Sequence, residues 1–544
     1  MRTRMGGRTM PKSTPISTST YSFVDLRKNG YLYVDKTSYF YQLVQRAKGC
    51  YFCARPRRFG KSLAISTFEA IFRGEKDLFK GLSIASTDYA WETHPLIHLD
   101  FARMDVETLS GLKESLAKRL FDIAGVYGVT ISGSTPTILF ADLIEKLCQK
   151  ESAGVAILID EYDKPILEHL GTGTEAESFR DFLQGFYQII KGMDAYEHFV
   201  FITGVTKFAK VSIFSKLNNL TDITMDVHFA CMFGYTQDEL EQNFDGWIDQ
   251  TLASDSTTNR AEFLAKLKDW YDGFRFVVDA EPVYNPVSIG SFFLSGGVFK
   301  NYWFSTGTPS FLVKLAAQNQ LTLEDIHGAV MSESALDLFD VTELTEHTAG
   351  RDKLFQLLFQ TGYLTIDQLL WDTPERVYSL RFPNFEVRYS FAKNLFTAYQ
   401  PQEQTSYVAS IRRAAQSGDT EAMMDWLKEI LANIPYHIQL PQEKYYQTMV
   451  CVILMMCGVD VRPEEMTNKG RIDAVLTTPQ HIYIIEFKLN KSAEQATGQI
   501  TDKDYIQKYR MTARDHGQTL HLLGINFSYD KDRRNITDWK EILL

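Results

Sequence analysis

Four short apolar runs, residues 51–54, 96–101, 155–159 and 199–203, are separated by helix-length amphipathic segments. Strands that are apolar throughout, joined by connections long enough to hold a covering helix, suit a mostly parallel sheet. An α/β domain is therefore expected over residues 21–305. The first run leads into a basic octet, Arg55-Pro56-Arg57-Arg58-Phe59-Gly60-Lys61-Ser62, and Leu63-Ala64-Ile65 then opens a helical pattern.

A strand, a Gly-Lys-Ser turn and a helix are the arrangement in which backbone N–H groups and a helix N-terminus face a phosphate. In that setting Lys61 is expected to reach the β and γ phosphates of a nucleotide and Ser62 to hold Mg²⁺, with Arg58, Phe59 and Gly60 forming the loop. Arg55 stands where Gly-x-x-x-x-Gly-Lys-Ser has its first glycine, and a basic turn before a surface helix is the plain alternative. The third run ends in Asp160-Glu161. Asp160 is expected to hold the metal and Glu161 to polarise the attacking water, as phosphoryl transfer requires. The fourth run ends in Thr203-Gly204-Val205-Thr206, so Thr203 or Thr206 is expected beside the γ phosphate.

Hydrophobic residues make up 44% of the 544 and charged residues 23%, enough apolar material for packed cores and too much for disorder. The longest strongly apolar stretch, residues 449–459, is well short of the ~18 residues a membrane span needs, so no membrane partner is expected. Arg2, Arg4, Arg8 and Lys12 are followed by Gly, Ser, Thr and Pro where a signal peptide has its apolar core. Residues 1–20 read as a flexible leader. Six cysteines in a chain this long do not make a disulfide scaffold, which fits a reducing cytoplasm, and Cys50 and Cys53 read as buried small hydrophobes. The net charge of −11 repels nucleic acid, so contact with it would need local basic surface or bound cations.

Residues 306–400 read as helical, closing with a hairpin over 362–366 and 377–382, a winged-helix-like lid. Residues 401–544 read as a separate α/β domain, with strands at 471–476, 481–489 and 521–527 and a helix over 495–511. Its first strand holds Gly470-Arg471-Ile472-Asp473 and its second Glu486-Phe487-Lys488. Side chains two apart on a strand share a face, so Glu486 and Lys488 point together, and Asp473 on the neighbouring strand can meet Glu486 around one Mg²⁺. Two carboxylates, a cation and a lysine suit phosphodiester hydrolysis. A cross-strand salt bridge is the alternative.

The sequence resembles the AAA-ATPase-like proteins of bacteria that carry a C-terminal PD-(D/E)XK nuclease-superfamily domain. The matching stretches are Tyr33-Val34-Asp35-Lys36-Thr37, the octet, Asp160-Glu161-Tyr162-Asp163-Lys164-Pro165, Thr203-Gly204-Val205-Thr206-Lys207, Tyr271-Asp272-Gly273-Phe274-Arg275-Phe276 and Tyr284-Asn285-Pro286. In that family Arg at the first position of the octet is normal. The resemblance implies ATP binding by Lys61 and Ser62, a restriction-endonuclease-like fold at the C-terminus, an accessory acid at Glu443, and a further site residue at Gln499. It also favours DNA as the nucleic acid partner and a homo-oligomer. The expected function is a P-loop ATPase, an enzyme that hydrolyses ATP, coupled to a Mg²⁺-dependent nuclease site. The alternative is an ATP-driven switch or scaffold whose C-terminal domain binds nucleic acid or protein without cleavage.

Overall fold

A computed structural model describes residues 13–303 except 47, 170–173, 208–218 and 255–258, residues 329–399 except 338–349 and 373, and residues 405–544 except 433, 435–441, 468 and 531–533. The chain divides into two compact units, one of residues 1–306 with 330–386 and one of residues 307–329 with 387–544.

The first unit is built on five parallel strands, β1 (Gly49–Ala54), β2 (Leu96–Asp100), β3 (Val155–Asp160), β4 (Glu197–Gly204) and β5 (Thr221–Asp222), in the order β2-β3-β4-β1-β5. The apolar runs predict the first four. β3 is buried along its whole length and β4 nearly so, which is why their sequences show no alternation. Because β3, β4 and β1 are neighbours, their carboxyl ends bring Asp160, Gly204 and the basic octet to one edge of the sheet. Open parallel sheets bind ligands at that edge. Helix Lys61–Phe72 covers the sheet, with the Phe68 ring 5.0 Å from that of Phe199 and 4.9 Å from that of Phe201.

Helices Gln237–Ser254, Arg260–Tyr271 and Pro286–Leu294 form a second layer whose core includes Phe244, Phe263, Leu267, Phe292 and Phe293. Ile16 packs against this cluster, Trp247 Nε1 donates to Thr14 O (2.9 Å), and the Leu32 N–H donates to Pro15 O (2.8 Å). The flexible leader expected over 1–20 therefore does not hold for residues 13–20, where one apolar side chain finds a core; residues 1–12 lie outside the described residues.

The expected hairpin is present as β7 (Thr365–Trp371) and β8 (Val377–Arg381), with β6 (Val330–Ser332) added on the far side of β8. An independent region over 306–400 is not what forms, since residues 330–386 pack within the first unit. Gly362, at φ 87°, shows why: a Cβ there would lie 2.7 Å from Pro56 of the octet, so the backbone before the hairpin rests directly on the loop. The helical reading for 304–328 lies outside the described residues.

The second unit holds a mixed sheet in the order β13-β12-β11-β10-β9, comprising β9 (Asp460–Thr467), β10 (Gly470–Thr477), β11 (His481–Leu489), β12 (Thr519–Tyr529) and β13 (Arg534–Leu543). Only β11 and β12 run parallel. Helix Glu443–Met456 ends before Gly458, whose φ of 69° closes it. The single helix expected over 495–511 is two, Ala493–Asp502 and Gln507–His516, because Asp504 turns left-handed (φ 47°) and the Tyr505 N–H returns to Ile500 O (3.2 Å). Tyr505 and Tyr509 lie in the core with Ile472, Ile484 and Leu522. At Gly524 a Cβ would meet Ala493 O at 2.5 Å, so helix Ala493–Asp502 sits directly on β12.

Candidate functional site

The octet forms a tight loop between β1 and helix Lys61–Phe72, turned by Arg58 (φ 68°) and by Gly60 (φ 91°), which stands at the helix N-cap. Arg55 does not point at a phosphate. Its guanidinium is buried, donates to Ala54 O (2.9 Å), Thr224 O (2.8 Å) and Phe229 O (3.3 Å), and lies 4.2 Å from the centroid of the Phe276 ring. A glycine is unnecessary there because the side chain leaves the loop sideways and anchors it. Phe59 is likewise buried, packed on Phe274 and Phe276, so only its backbone is available to a ligand.

Lys61 is 4% exposed. Its Nζ donates to Arg55 O (3.1 Å) and Pro56 O (3.2 Å) and lies 3.6 Å from Glu161 Oε1. The Ser62 hydroxyl hydrogen-bonds to Asp160, whose carboxyl is raised to about 6 by burial and by the nearby Glu161 and Asp100 carboxylates. Lys61, Ser62, Asp160 and Glu161, separated by a hundred residues in sequence, thus converge. Glu161 takes a left-handed backbone (φ 51°), a conformation a non-glycine residue holds only where its surroundings impose it.

The neighbouring threonines are used otherwise. The Thr203 hydroxyl donates to Cys53 O (2.7 Å), toward β1, and the Thr206 hydroxyl donates to Asp163 Oδ2 (2.7 Å). Each hydroxyl thus has a buried acceptor, Thr203 on the neighbouring strand and Thr206 on the chain after β3. Asp163, not singled out in the sequence, also accepts the N–H groups of Val205 (3.0 Å) and Thr206 (2.6 Å), tying the chain after β3 to the end of β4. Asp100 lies beside Asp160 in the β2–β3 register. The identical position of these acids at two strand ends is the signal that could have found it.

A cavity of about 130 Å³ adjoins the loop, lined by Arg58, Phe59 and Gly60, by Tyr33 and Lys36, and by Pro286 at the start of its helix. It is mostly apolar with a few polar groups, the character of a site for a flat organic ring. Asp35 lies apart from it; its Oδ1 accepts the N–H (2.8 Å) and hydroxyl (2.6 Å) of Thr37, at the start of helix Thr37–Val44.

In the second unit the antiparallel register Ala474↔Ile485 sets Asp473 and Glu486 across from each other on β10 and β11. Asp473 Oδ2 accepts the Phe487 N–H (2.8 Å), and the Asp473 N–H donates to Glu486 Oε1 (3.4 Å). Lys488 Nζ lies 3.8 Å from Glu486 Oε2 and donates to Phe487 O (2.9 Å). Glu486 is fully buried, and its carboxyl is pushed up to about 9, first by burial and then by the Asp473 carboxylate. Glu443 Oε2 accepts the Leu489 N–H (3.0 Å), which puts it one residue past Lys488, and Gln447 Nε2, missed in the sequence, donates to Asp473 O (2.9 Å). Gln499 hydrogen-bonds to the Tyr505 hydroxyl, which itself donates to Arg471 O (2.8 Å).

Both clusters fit a divalent cation. Asp160 is a buried carboxyl among other acids, and Glu486 Oε2 is buried with no hydrogen-bond partner. Among the described residues no three His, Cys, Asp or Glu side chains converge as a ready-made metal cage. An ion held by Asp473 and Glu486 would complete its shell with backbone or water oxygens, as Mg²⁺ commonly does.

Residues 15–214 match the family described as predicted AAA-ATPase, and residues 441–539 match the PD-(D/E)XK nuclease superfamily. An uncharacterized protein of the vnfD 5′ region of Azotobacter chroococcum mcd 1 is 33% identical over 533 residues, 95% of this chain and 97% of the relative. No helix among the described residues is long and apolar enough to cross a membrane. A nucleotide-type loop beside paired strand-end acids, a second carboxylate pair on an antiparallel hairpin, and this full-length likeness lead to one assignment: the chain belongs to the predicted AAA-ATPase family and carries a PD-(D/E)XK nuclease-superfamily domain at its C-terminus.

Proposed function

We propose that the chain is an ATP-hydrolysing enzyme that controls a Mg²⁺-dependent nuclease site acting on DNA. Lys61 and the N–H groups of residues 58–62 would bind the phosphates, leaving the Glu161 carboxylate to take up the attacking water once Lys61 turns from it to the anion. Ser62 and Asp160 would hold the magnesium. In the second unit Asp473 and Glu486 would hold a cation, and Lys488 would orient the water or offset charge developing on the phosphate. The cation supplies Lewis acidity to the scissile phosphate and lowers the pKa of bound water. Glu443 and Gln499 would act around this centre, Glu443 on the strand end and Gln499 through Tyr505.

The observation that carries the reading is Glu486, a buried carboxyl beside Asp473 whose Oε2 accepts no hydrogen bond and has only the Lys488 ammonium, 3.8 Å away, as counter-charge among the described residues. The test is cleavage of single- and double-stranded DNA and RNA by the full chain, with and without ATP and Mg²⁺ or Mn²⁺. Lys61→Ala is expected to lower phosphate release, and Asp473→Ala strand scission, each by about 10²-fold or more. Normal scission by Asp473→Ala would remove Asp473 from the cutting site, and none by the wild type at any metal concentration would leave the non-cleaving switch as the better account.

A further inference from the structure

Glu386 is fully buried and has no part in the chemistry above. Its Oε1 accepts the backbone N–H groups of both Tyr302 and Trp303 (the latter at 2.7 Å), and its Oε2 accepts the Ser288 hydroxyl (2.7 Å). Each partner leads to the nucleotide site by a different route. Trp303 Nε1 donates to Arg57 O (3.3 Å) and Tyr302 O accepts Arg58 Nη1 (2.7 Å), so residues 302–303 grip the phosphate loop at two consecutive positions. Ser288 belongs to helix Pro286–Leu294, of which Pro286, Val287 and Gly290 line the cavity beside that loop. One carboxylate thus collects three donors from the two structures that flank the site. It stands in the first turn of helix Phe385–Tyr399.

We propose that Glu386 is a positioning residue for the nucleotide site, joining the strap of Tyr302 and Trp303 that holds the phosphate loop to the helix that lines the adjoining cavity. A buried carboxylate accepting several N–H and O–H groups makes stronger hydrogen bonds than a neutral acceptor. Its removal strands three buried donors, and the loop, which rests on Trp303 and Arg58 contacts, loses its fixed shape. The consequence for ATP rests on reading this loop as the ATP site, whereas the tie itself does not.

Two measurements keep these apart. Hydrogen exchange over residues 55–62 in the nucleotide-free full chain reads the tie directly. Exchange there is expected to be about tenfold faster in Glu386→Ala, the size set by losing hydrogen bonds to a buried charge, and within about twofold of wild type in Glu386→Gln, which keeps an oxygen for the two N–H groups and an amide for Ser288. Trp303→Phe, which removes the Nε1–H and part of the ring while keeping an aromatic side chain, is expected to reproduce the effect. The double variant Glu386→Ala/Trp303→Phe should show no more than the larger single effect, since coupled residues do not add. Titration with a fluorescent ATP analogue should then show affinity falling about tenfold in the same variants.

Wild-type exchange over 55–62 in Trp303→Phe, or multiplying effects in the double variant, would overturn the proposal. If Glu386→Ala does not fold, Ser288→Ala combined with Trp303→Phe decides by the same criterion. A wild type that binds the analogue no better than Lys61→Ala would instead overturn the ATP reading and leave the exchange result standing.

Discussion

Asp473 and Glu486 meet across an antiparallel pair of strands, and the Asp473 N–H donates to the same Glu486 carboxylate that the Asp473 side chain repels. The backbone holds together what the charges would push apart. A divalent cation resolves the conflict, so Mn²⁺ or Mg²⁺ should stabilise the second unit by mass action, about 2.7 kcal/mol at a hundredfold excess over Kd. Glu486→Gln removes one ligand and most of the conflict, and its unfolding midpoint should respond little to metal. A metal-induced shift as large in Glu486→Gln as in the wild type would remove Glu486 from the ligand set.

Glu161 is held 3.6 Å from Lys61 by a left-handed backbone turn, and in the proposed function it would release the lysine to the phosphates and keep its own carboxylate for water. Glu161→Gln should therefore still bind ATP but release phosphate about 10²- to 10⁴-fold more slowly, the usual cost of removing a general base. Single-turnover assays with pre-bound ATP separate the two steps. Loss of binding together with turnover would mean that Glu161 shapes the loop instead.

Arg55 inverts the usual logic of such loops. Restoring glycine there would seem conservative by pattern, yet the guanidinium satisfies three backbone carbonyls and stacks on Phe276. Arg55→Gly is expected to cost about 2–4 kcal/mol of stability through the stranded acceptors and the cavity left behind. Thermal unfolding with and without ATP measures it. An unchanged midpoint would show that the carbonyls find other donors.

How far the sequence carries is visible in these residues. Lys61, Ser62, Asp160 and Glu161 are legible because a parallel sheet places strand ends at one edge, and pattern alone locates the ends. Asp473, Glu486 and Lys488 are legible because strand periodicity sets which side chains share a face. Thr203 is less legible for the opposite reason: its strand position is plain, but a hydroxyl turns to whichever buried acceptor lies nearest, here Cys53 O, and that is a matter of three-dimensional packing. Glu386 and Asp163 are invisible in one dimension, since each draws its donors from segments tens of residues away. The edge strands β9 and β13 escaped because their residues are largely half-exposed and polar, so the apolar pattern that announces β11 is missing from them.

Glu197, at the start of β4, offers a test of the first unit that involves neither site. It is 7% exposed, its Oε1 has no hydrogen-bond partner, and burial with Asp194 nearby pushes its carboxyl up to about 8, with Lys48 opposing. The folded state thus binds a proton that the unfolded state has lost over the range from the ordinary glutamate value of 4.5 to about 8. Stability contributed by this group is present below that range and falls as pH rises through it. Glu197→Gln carries no charge at any pH, so the variant should match or fall slightly below the wild type at acid pH and exceed it above pH 8, as the two thermal-midpoint curves cross. Parallel curves would mean that Glu197 ionises freely, with water reaching it from the small polar cavity it shares with Arg46, Lys48 and Asp194.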